Sequence, residues 1–125
     1  MQPGLQARRQ NYAADDIGDQ VRASLALSFK NGPPTIGVLA AELGISVRTL
    51  QRRLTESGNS FTALLDERRR AEALQFLAAE GGPIADLAQR LGYSGQSALT
   101  RAVHRWTGKS PRRWRASIGG KRQVR

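Results

Sequence analysis

The sequence of 125 residues contains no cysteine and only one histidine. Without cysteine, disulfide bonds and thiolate metal sites are excluded, and the lone His104 has no second imidazole with which to share a metal. No stretch approaches the roughly 18 consecutive apolar residues of a membrane helix, and the first residues lack the apolar core of a signal peptide. These absences predict a soluble cytoplasmic protein.

Acidic residues are absent from the last third of the chain. The net charge is +10, yet the first 86 residues carry equal numbers of acidic and basic side chains, ten of each. Residues 87–125 carry ten Lys and Arg and no acid. Such a segment attracts a polyanion, either nucleic acid or an anionic membrane surface. Because several of these arginines alternate with apolar residues at helical spacing, a solvated basic tail does not account for them.

Apolar residues at helical spacing, separated by helix breakers, predict an all-α fold. The first predicted helix, residues 16–30, carries Ile17, Val21, Leu25 and the run from Leu27 to Phe29 as its apolar residues. Further helices are predicted over residues 35–44, 46–58, 60–79, 83–92 and 94–107, with a short helix beginning at Ser110 and Pro111. No stretch alternates strongly enough to be a strand.

A segment of the sequence occurs twice in similar form, about 48 residues apart. A helix-turn-helix needs a small residue where its helices meet, a residue that tolerates positive φ in the turn, and an apolar residue that fixes the second helix inward. These three places are filled by Ala40, Gly44 and Leu50 in the first copy and by Ala88, Gly92 and Leu99 in the second. The repeat therefore predicts two helix-turn-helix motifs.

Polar side chains occupy the outer face of the second helix in each motif. They are Arg48, Gln51 and Arg52 in the first copy and Gln96, Ser97, Thr100 and Arg101 in the second. Arg can bond a guanine edge through two hydrogen bonds, Gln can do so with adenine, and the Thr methyl can contact thymine. Either face alone is compatible with simple solvation, but the pair in register favours base contacts in a major groove.

The spacing of the two motifs fits one helical turn of B-DNA. The predicted helix over residues 60–79 is about 30 Å long. Major-groove faces on one side of the duplex lie about 34 Å apart. A single chain could thus place two reading helices in adjacent major grooves.

Three longer motifs resemble the C-terminal DNA-binding domain of AraC/XylS transcription regulators. They are "SVRTLQRRL" (46–54), "GNSFTALLDERR" (58–69) and "LAQRLGYSGQSALTRAVHRWTGKSPRRWR" (87–115). The resemblance implies seven helices, with two helix-turn-helix subdomains joined by a long linker helix. It also implies base contacts from the seven polar residues above. By the same resemblance, phosphate contacts fall near Thr35, Ser60, Lys109, Ser110 and Arg112.

The family pattern also implies a division of the chain. We predict a flexible leader or linker remnant over residues 1–15, a bipartite domain over 16–117 and a basic tail over 118–125. Within the domain, we expect subdomains over 16–58 and 83–117, with a linker helix over 60–79. Larger family members carry an N-terminal effector or dimerisation domain, so we expect either a fragment of such a regulator or a short member without a sensor.

Two positions depart from the family pattern. Val103 stands where the family often has Phe, and Thr107 stands where an aromatic residue is common. Smaller side chains at these places predict a lighter core in the second subdomain, which would make it the less rigid half.

The predicted partner is double-stranded DNA, and the predicted role is regulation of bacterial transcription by a cytoplasmic, nucleoid-associated protein. Activation is the expected output, and repression stays open. RNA polymerase subunits are a further partner class. Neither a cofactor nor a metal is predicted, and an effector ligand is not expected to bind this chain. The adjacent Asp66 and Glu67 point in different directions on a helix and cannot act as an acid and base pair, so no enzymatic activity is predicted.

Two other functions stay open at this point. One is an architectural DNA binder with weak sequence preference, which would bind unrelated duplexes equally well. The other is a protein-docking module that uses the first helix or the linker helix. RNA binding is less favoured, because Trp106 and Trp114 are expected to pack between helices and not to stack on bases.

Overall fold

A computed structural model describes residues 13–29, 32–79 and 81–123. Within these ranges the chain forms seven helices and no strand, which confirms the predicted all-α class. In chain order they are α1 (Ala13–Ser28), α2 (Ile36–Leu43), α3 (Val47–Glu56), α4 (Phe61–Ala78), α5 (Ile84–Leu91), α6 (Gln96–Thr107) and α7 (Pro111–Gln123).

The terminal helices extend beyond their predicted limits. Helix α1 begins at Ala13, so the last three residues of the predicted leader are helical, while residues 1–12 lie outside the described residues. Helix α7 continues to Gln123, so most of the predicted basic tail is helical as well. Two adjacent glycines lie within this segment but do not end the helix, and no proline follows to block the helical hydrogen bonds.

Contacts between Cα atoms divide the chain into two compact units. Of the described residues, the first comprises those up to Ser28 together with Pro34–Asp66, and the second comprises those within Phe29–Pro33 and those from Glu67 onward. The boundary falls inside α4, whose first residues belong to the first unit and whose remainder belongs to the second. The predicted limits of the subdomains stay a prediction.

The first unit buries one side of α1 and the facing sides of the first motif. Helix α1 packs against α3, and α2 packs against α3. Its buried aliphatic side chains are Ile17, Val21, Leu25, Leu39, Ala40, Leu50, Leu54 and Leu64. Helix α1 is also tied to α2, because the Ser24 hydroxyl donates to Glu42 Oε1 at 2.8 Å.

Leu27, one of the apolar residues of the predicted first helix, is not part of the core, since 82% of its surface is exposed. Val21 and Leu25 already form the buried stripe at a spacing of one helical turn. A residue two positions beyond Leu25 is rotated by about 200° around the helix axis and therefore faces away from that stripe.

The second unit packs α5 against α6 and α6 against α7. Its buried side chains include Leu77, Leu87, Leu91, Leu99 and Val103. Arg115 ties α7 to the end of α4, because its Nε donates to the Leu77 carbonyl at 3.3 Å and its Nη2 donates to the Gly82 carbonyl at 3.1 Å. These interactions hold the second motif within one small core.

Candidate nucleic-acid interface

The turns of the two motifs have the same backbone geometry. Gly44 ends α2 with φ 74° and ψ 25°, and Gly92 ends α5 with φ 83° and ψ 18°. In the first turn the Ile45 amide donates to the Ala40 carbonyl at 3.0 Å, and in the second the Tyr93 amide donates to the Ala88 carbonyl at 3.0 Å. The two similar sequence segments therefore form the same type of helix C-terminus, which requires a glycine in the left-handed conformation.

The second helices of the motifs begin differently. Ser46 caps α3, because its hydroxyl oxygen accepts from the Thr49 amide at 3.0 Å. Helix α6 is preceded by Gly95, which has no side chain to cap it. The prediction that Ser94 begins this helix is wrong, because the second turn is one residue longer than the first and α6 starts only at Gln96.

The outer face of α3 carries the three predicted base-contacting residues. Leu50 and Leu54 are buried, whereas Arg48, Gln51 and Arg52 are all exposed. Arg52 Nη1 lies 3.3 Å from Glu56 Oε2, and both side chains remain more than half exposed. Among the described residues, neither Arg48 nor Gln51 has a hydrogen-bonding or ionic partner for its side chain. Their donors are free to meet a ligand.

The outer face of α6 brings together its four predicted base-contacting residues. Gln96, Ser97, Thr100 and Arg101 line one open surface depression. Leu99, Ala102 and Val103 are buried on the other side of the helix. This depression presents an amide, two hydroxyls and a guanidinium side by side, which is the mixture of donors and acceptors that base edges require.

Three of the predicted phosphate-contacting residues cap helices. Thr35, Ser60 and Ser110 each accept a hydrogen bond from the amide three residues later, at 3.1 Å in every case. Each hydroxyl can therefore still donate its own proton to another acceptor. Each also lies at a helix N-terminus, where unpaired backbone amides and the helix dipole favour an anion. A single cleft in the first unit is lined by both Gln51 and Ser60.

The other two predicted phosphate-contacting residues are cations of the second unit. Lys109 and Arg112 are both exposed. Lys109 Nζ lies 3.4 Å from the Ser117 hydroxyl, so α7 holds this ammonium beside the end of α6. Thr107 shapes the same corner, because its hydroxyl donates to the Val103 carbonyl at 2.8 Å and accepts from the Lys109 amide at 3.1 Å.

Within the described ranges, no group of three or more His, Asp or Glu side chains is placed to hold a metal ion. In the same part of the chain, no helix combines the length and the apolar character that crossing a bilayer requires.

Residues 39–117 match a family model described as "Helix-turn-helix domain". The chain belongs to the AraC/XylS-type helix-turn-helix family of transcriptional regulators. The match begins within α2 and covers the rest of the first motif, the whole of α4 and the whole of the second motif.

Similar proteins agree with this membership. The transcriptional regulator VirS of Mycobacterium tuberculosis is 45% identical over 81 residues, covering 65% of this chain and 24% of VirS. The chain thus spans about a quarter of the length of the curated relatives it matches. The C-terminal domain of AraT, a response regulator from Geobacillus stearothermophilus, superimposes with a TM-score of 0.68 at 29% identity, covering 81% of this chain and 84% of that one. A DNA-binding dual regulator from Escherichia coli K-12 shares the fold, with a TM-score of 0.75 at 24% identity, covering 83% and 93% of the two chains.

The AraC/XylS-type domain also contains a contact that the sequence analysis missed. Arg69, on α4, donates from Nε to the Leu91 carbonyl at 2.8 Å, and its guanidinium lies 4.6 Å from the centroid of the Tyr93 ring. The hydrogen bond joins residues 22 positions apart, so no local spacing or motif indicates it. Its location at the turn of the second motif makes it relevant to the interface.

Proposed function

We propose that this AraC/XylS-type domain reads specific double-stranded DNA with α3 and α6, and that the protein containing it regulates bacterial transcription. The observation that carries the proposal is the duplicated arrangement of the two motifs. In each, a left-handed glycine ends the first helix, and the second helix buries its apolar residues on one side. The polar residues on its other side are exposed, apart from the half-buried Thr100. If the polar residues were only solvated helix surface, there would be no reason for the same arrangement to occur twice.

The side chains suit distinct contacts with the DNA. Arg48 and Arg101 are the candidates for two-bond contacts with guanine, and Gln51 and Gln96 are the candidates for adenine. Thr100 can place its methyl group against thymine, while Ser97 and Arg52 supply further polar contacts. The phosphate contacts are assigned to the caps Thr35, Ser60 and Ser110 and to the cations Lys109 and Arg112.

The remaining roles are part of the same proposal. The two reading helices occupy successive major grooves, and the protein acts at the nucleoid in the cytoplasm. RNA polymerase subunits are the second expected partner, as suits an activator. Binding of DNA by exposed side chains requires neither a cofactor nor a catalytic group, and no effector is assigned to this chain.

Selection of random duplex DNA by the purified chain, at fixed near-physiological salt and followed by sequencing, tests the proposal. Two short enriched blocks about one helical turn apart are expected, because each motif reads one groove. A single block would mean that one motif contacts only the backbone. Equal recovery of all sequences would replace specific reading by architectural binding, and no recovery would leave protein docking as the function.

A further inference from the structure

The turn of the second motif is held in place from α4. Arg69 reaches both sides of Gly92, through its hydrogen bond to the Leu91 carbonyl before the glycine and its stacking on Tyr93 after it. A cation suits the carbonyl end of α5, where the helix dipole is negative, and a charged donor strengthens the hydrogen bond. One planar guanidinium thus fixes the last carbonyl of α5 and the first side chain of the turn.

Neighbouring groups enclose the same turn. A Cβ atom placed on Gly92 would lie 2.7 Å from Pro33 Cδ and 3.3 Å from Arg69 Nη2. Glu72, one turn further along α4, has Oε1 3.8 Å from Arg90 Nη2 and Oε2 3.1 Å from Arg68 Nη2. The final turn of α5 is therefore fastened to α4 by two separate polar contacts.

The turn of the first motif is held less directly, because the Ser24 hydroxyl of α1 donates only to a side-chain atom, Glu42 Oε1, in the last turn of α2. A Cβ atom placed on Gly44 would meet no atom within 4 Å, and Ile45 occupies the place that Tyr93 has in the second turn. Among the described residues, no side chain donates to the Leu43 carbonyl. The two turns share their backbone geometry, but among the described residues only the second has a side chain from another helix bonded to a backbone carbonyl at the turn.

We propose that Arg69 is a positioning residue that sets the orientation of α6 and thereby the base preference of the second motif. The inference rests on the proposed DNA reading. Contacts with base edges require their donors to be held within a fraction of an ångström, so a looser turn would let α6 sample orientations that fit the correct and incorrect bases more equally. Arg69 touches no base in this scheme and acts through the turn.

The test compares Arg69→Gln with Arg70→Gln, which removes the same charge from an exposed neighbouring position on α4. For each variant, the affinity for the selected duplex is measured against duplexes in which one block at a time is scrambled, at fixed salt. We expect Arg69→Gln to reduce discrimination at the second block by about tenfold, a typical loss for a charge-assisted hydrogen bond. Discrimination at the first block should stay unchanged, and Arg70→Gln should leave both blocks as in the wild type.

Hydrogen exchange of the free protein supplies a second readout. Arg69→Gln should accelerate exchange of the backbone amides from Gly92 to the first turn of α6, while the amides of the first turn keep their wild-type rates. Arg69→Lys retains the charge but not the planar stack, so it should restore discrimination only in part. Should Arg69→Gln fail to fold, Tyr93→Leu removes the stacking ring while leaving Arg69 in place and should shift discrimination at the second block in the same direction.

Full discrimination at the second block in Arg69→Gln, or equal losses at both blocks, would overturn the inference while leaving the proposed function intact. Failure of the wild-type chain to select any second block would overturn both, because no preference would then exist for Arg69 to support. The wild-type selection therefore separates the two failures before any variant is compared.

Discussion

The arginines on α3 differ in whether their guanidinium groups already have an ionic partner. Arg52 is paired with Glu56 on its own helix, whereas Arg48 has no partner within the described ranges. An exposed ion pair of this kind is weak, but it still competes with a base for the guanidinium. Arg48 has no ion pair to break when it binds, which makes it the stronger candidate for a direct contact with a base.

We therefore expect Arg48→Ala to cost about 1–3 kcal/mol on the selected site and to relax the preference at one base pair. Titrations against the site and its single-base variants measure both effects. Arg53→Ala is the matched control, since Arg53 is exposed on the same helix but lies outside the polar stripe. Equal weakening on every duplex would assign Arg48 to the phosphate backbone instead.

Lys109 should behave in the opposite way. Its ammonium is held beside Ser117 at the corner between α6 and α7, away from the residues that line the α6 depression. We expect Lys109→Ala to weaken binding to all duplexes alike and to make the slope of log K against log salt shallower by about 0.9, the value for one lost phosphate contact. Lys109→Arg should keep the wild-type slope. A loss that depends on base sequence would refute the phosphate role.

At the scale of whole elements, the two turns have equal backbones but unequal surroundings. An alanine in the left-handed conformation costs about 1–2 kcal/mol wherever it occurs. Gly44→Ala should destabilise the protein by about that amount, because its Cβ would enter open space. Gly92→Ala should cost clearly more, because its Cβ would lie 2.7 Å from Pro33 Cδ. Urea unfolding of both variants measures the difference in their free energies of unfolding. Equal losses would show that Pro33 can move away from the added Cβ atom without a cost in stability.

The features of these elements that could be predicted from the sequence all depend on residues a few positions apart. The buried pair Leu50 and Leu54 follows from helical spacing, and the caps at Thr35 and Ser46 follow from the residue types that precede apolar runs. The glycine turns were predictable for the same reason, since only glycine adopts this conformation readily. The base-contacting and phosphate-contacting roles stay predictions, although their side chains cap helices or are exposed, apart from the half-buried Thr100.

The features that escaped prediction depend on residues far apart or on small shifts of register. The clamp by Arg69 joins α4 to a turn 22 residues later, and Pro33 approaches Gly92 across an even longer separation. Leu27 could not be placed because apolar character alone does not choose between the two sides of a helix. The start of α6 was missed because one extra residue in the turn moved the cap from Ser94 to Gly95.

At the scale of the whole molecule, both motifs belong to one chain, and this connection has energetic consequences for binding. Once one motif has bound its block, the second meets its own block at a high effective concentration, which strengthens binding without any new contact. The basic last third of the chain adds attraction for phosphates that does not depend on sequence. Affinity for a two-block site should therefore exceed affinity for either block alone.

The double variant Arg48→Ala with Arg101→Ala tests whether both motifs bind at once. If they do, each single change costs its own contact on the two-block site, and the double variant loses the sum of the two within about 0.5 kcal/mol. If only one motif binds at a time, each single loss should be small, because the intact motif takes over, and the double loss should far exceed the sum. Anisotropy titrations at fixed salt distinguish these results. On a duplex whose second block is scrambled, Arg101→Ala should cost nothing, and a substantial loss there would show that Arg101 contacts the backbone.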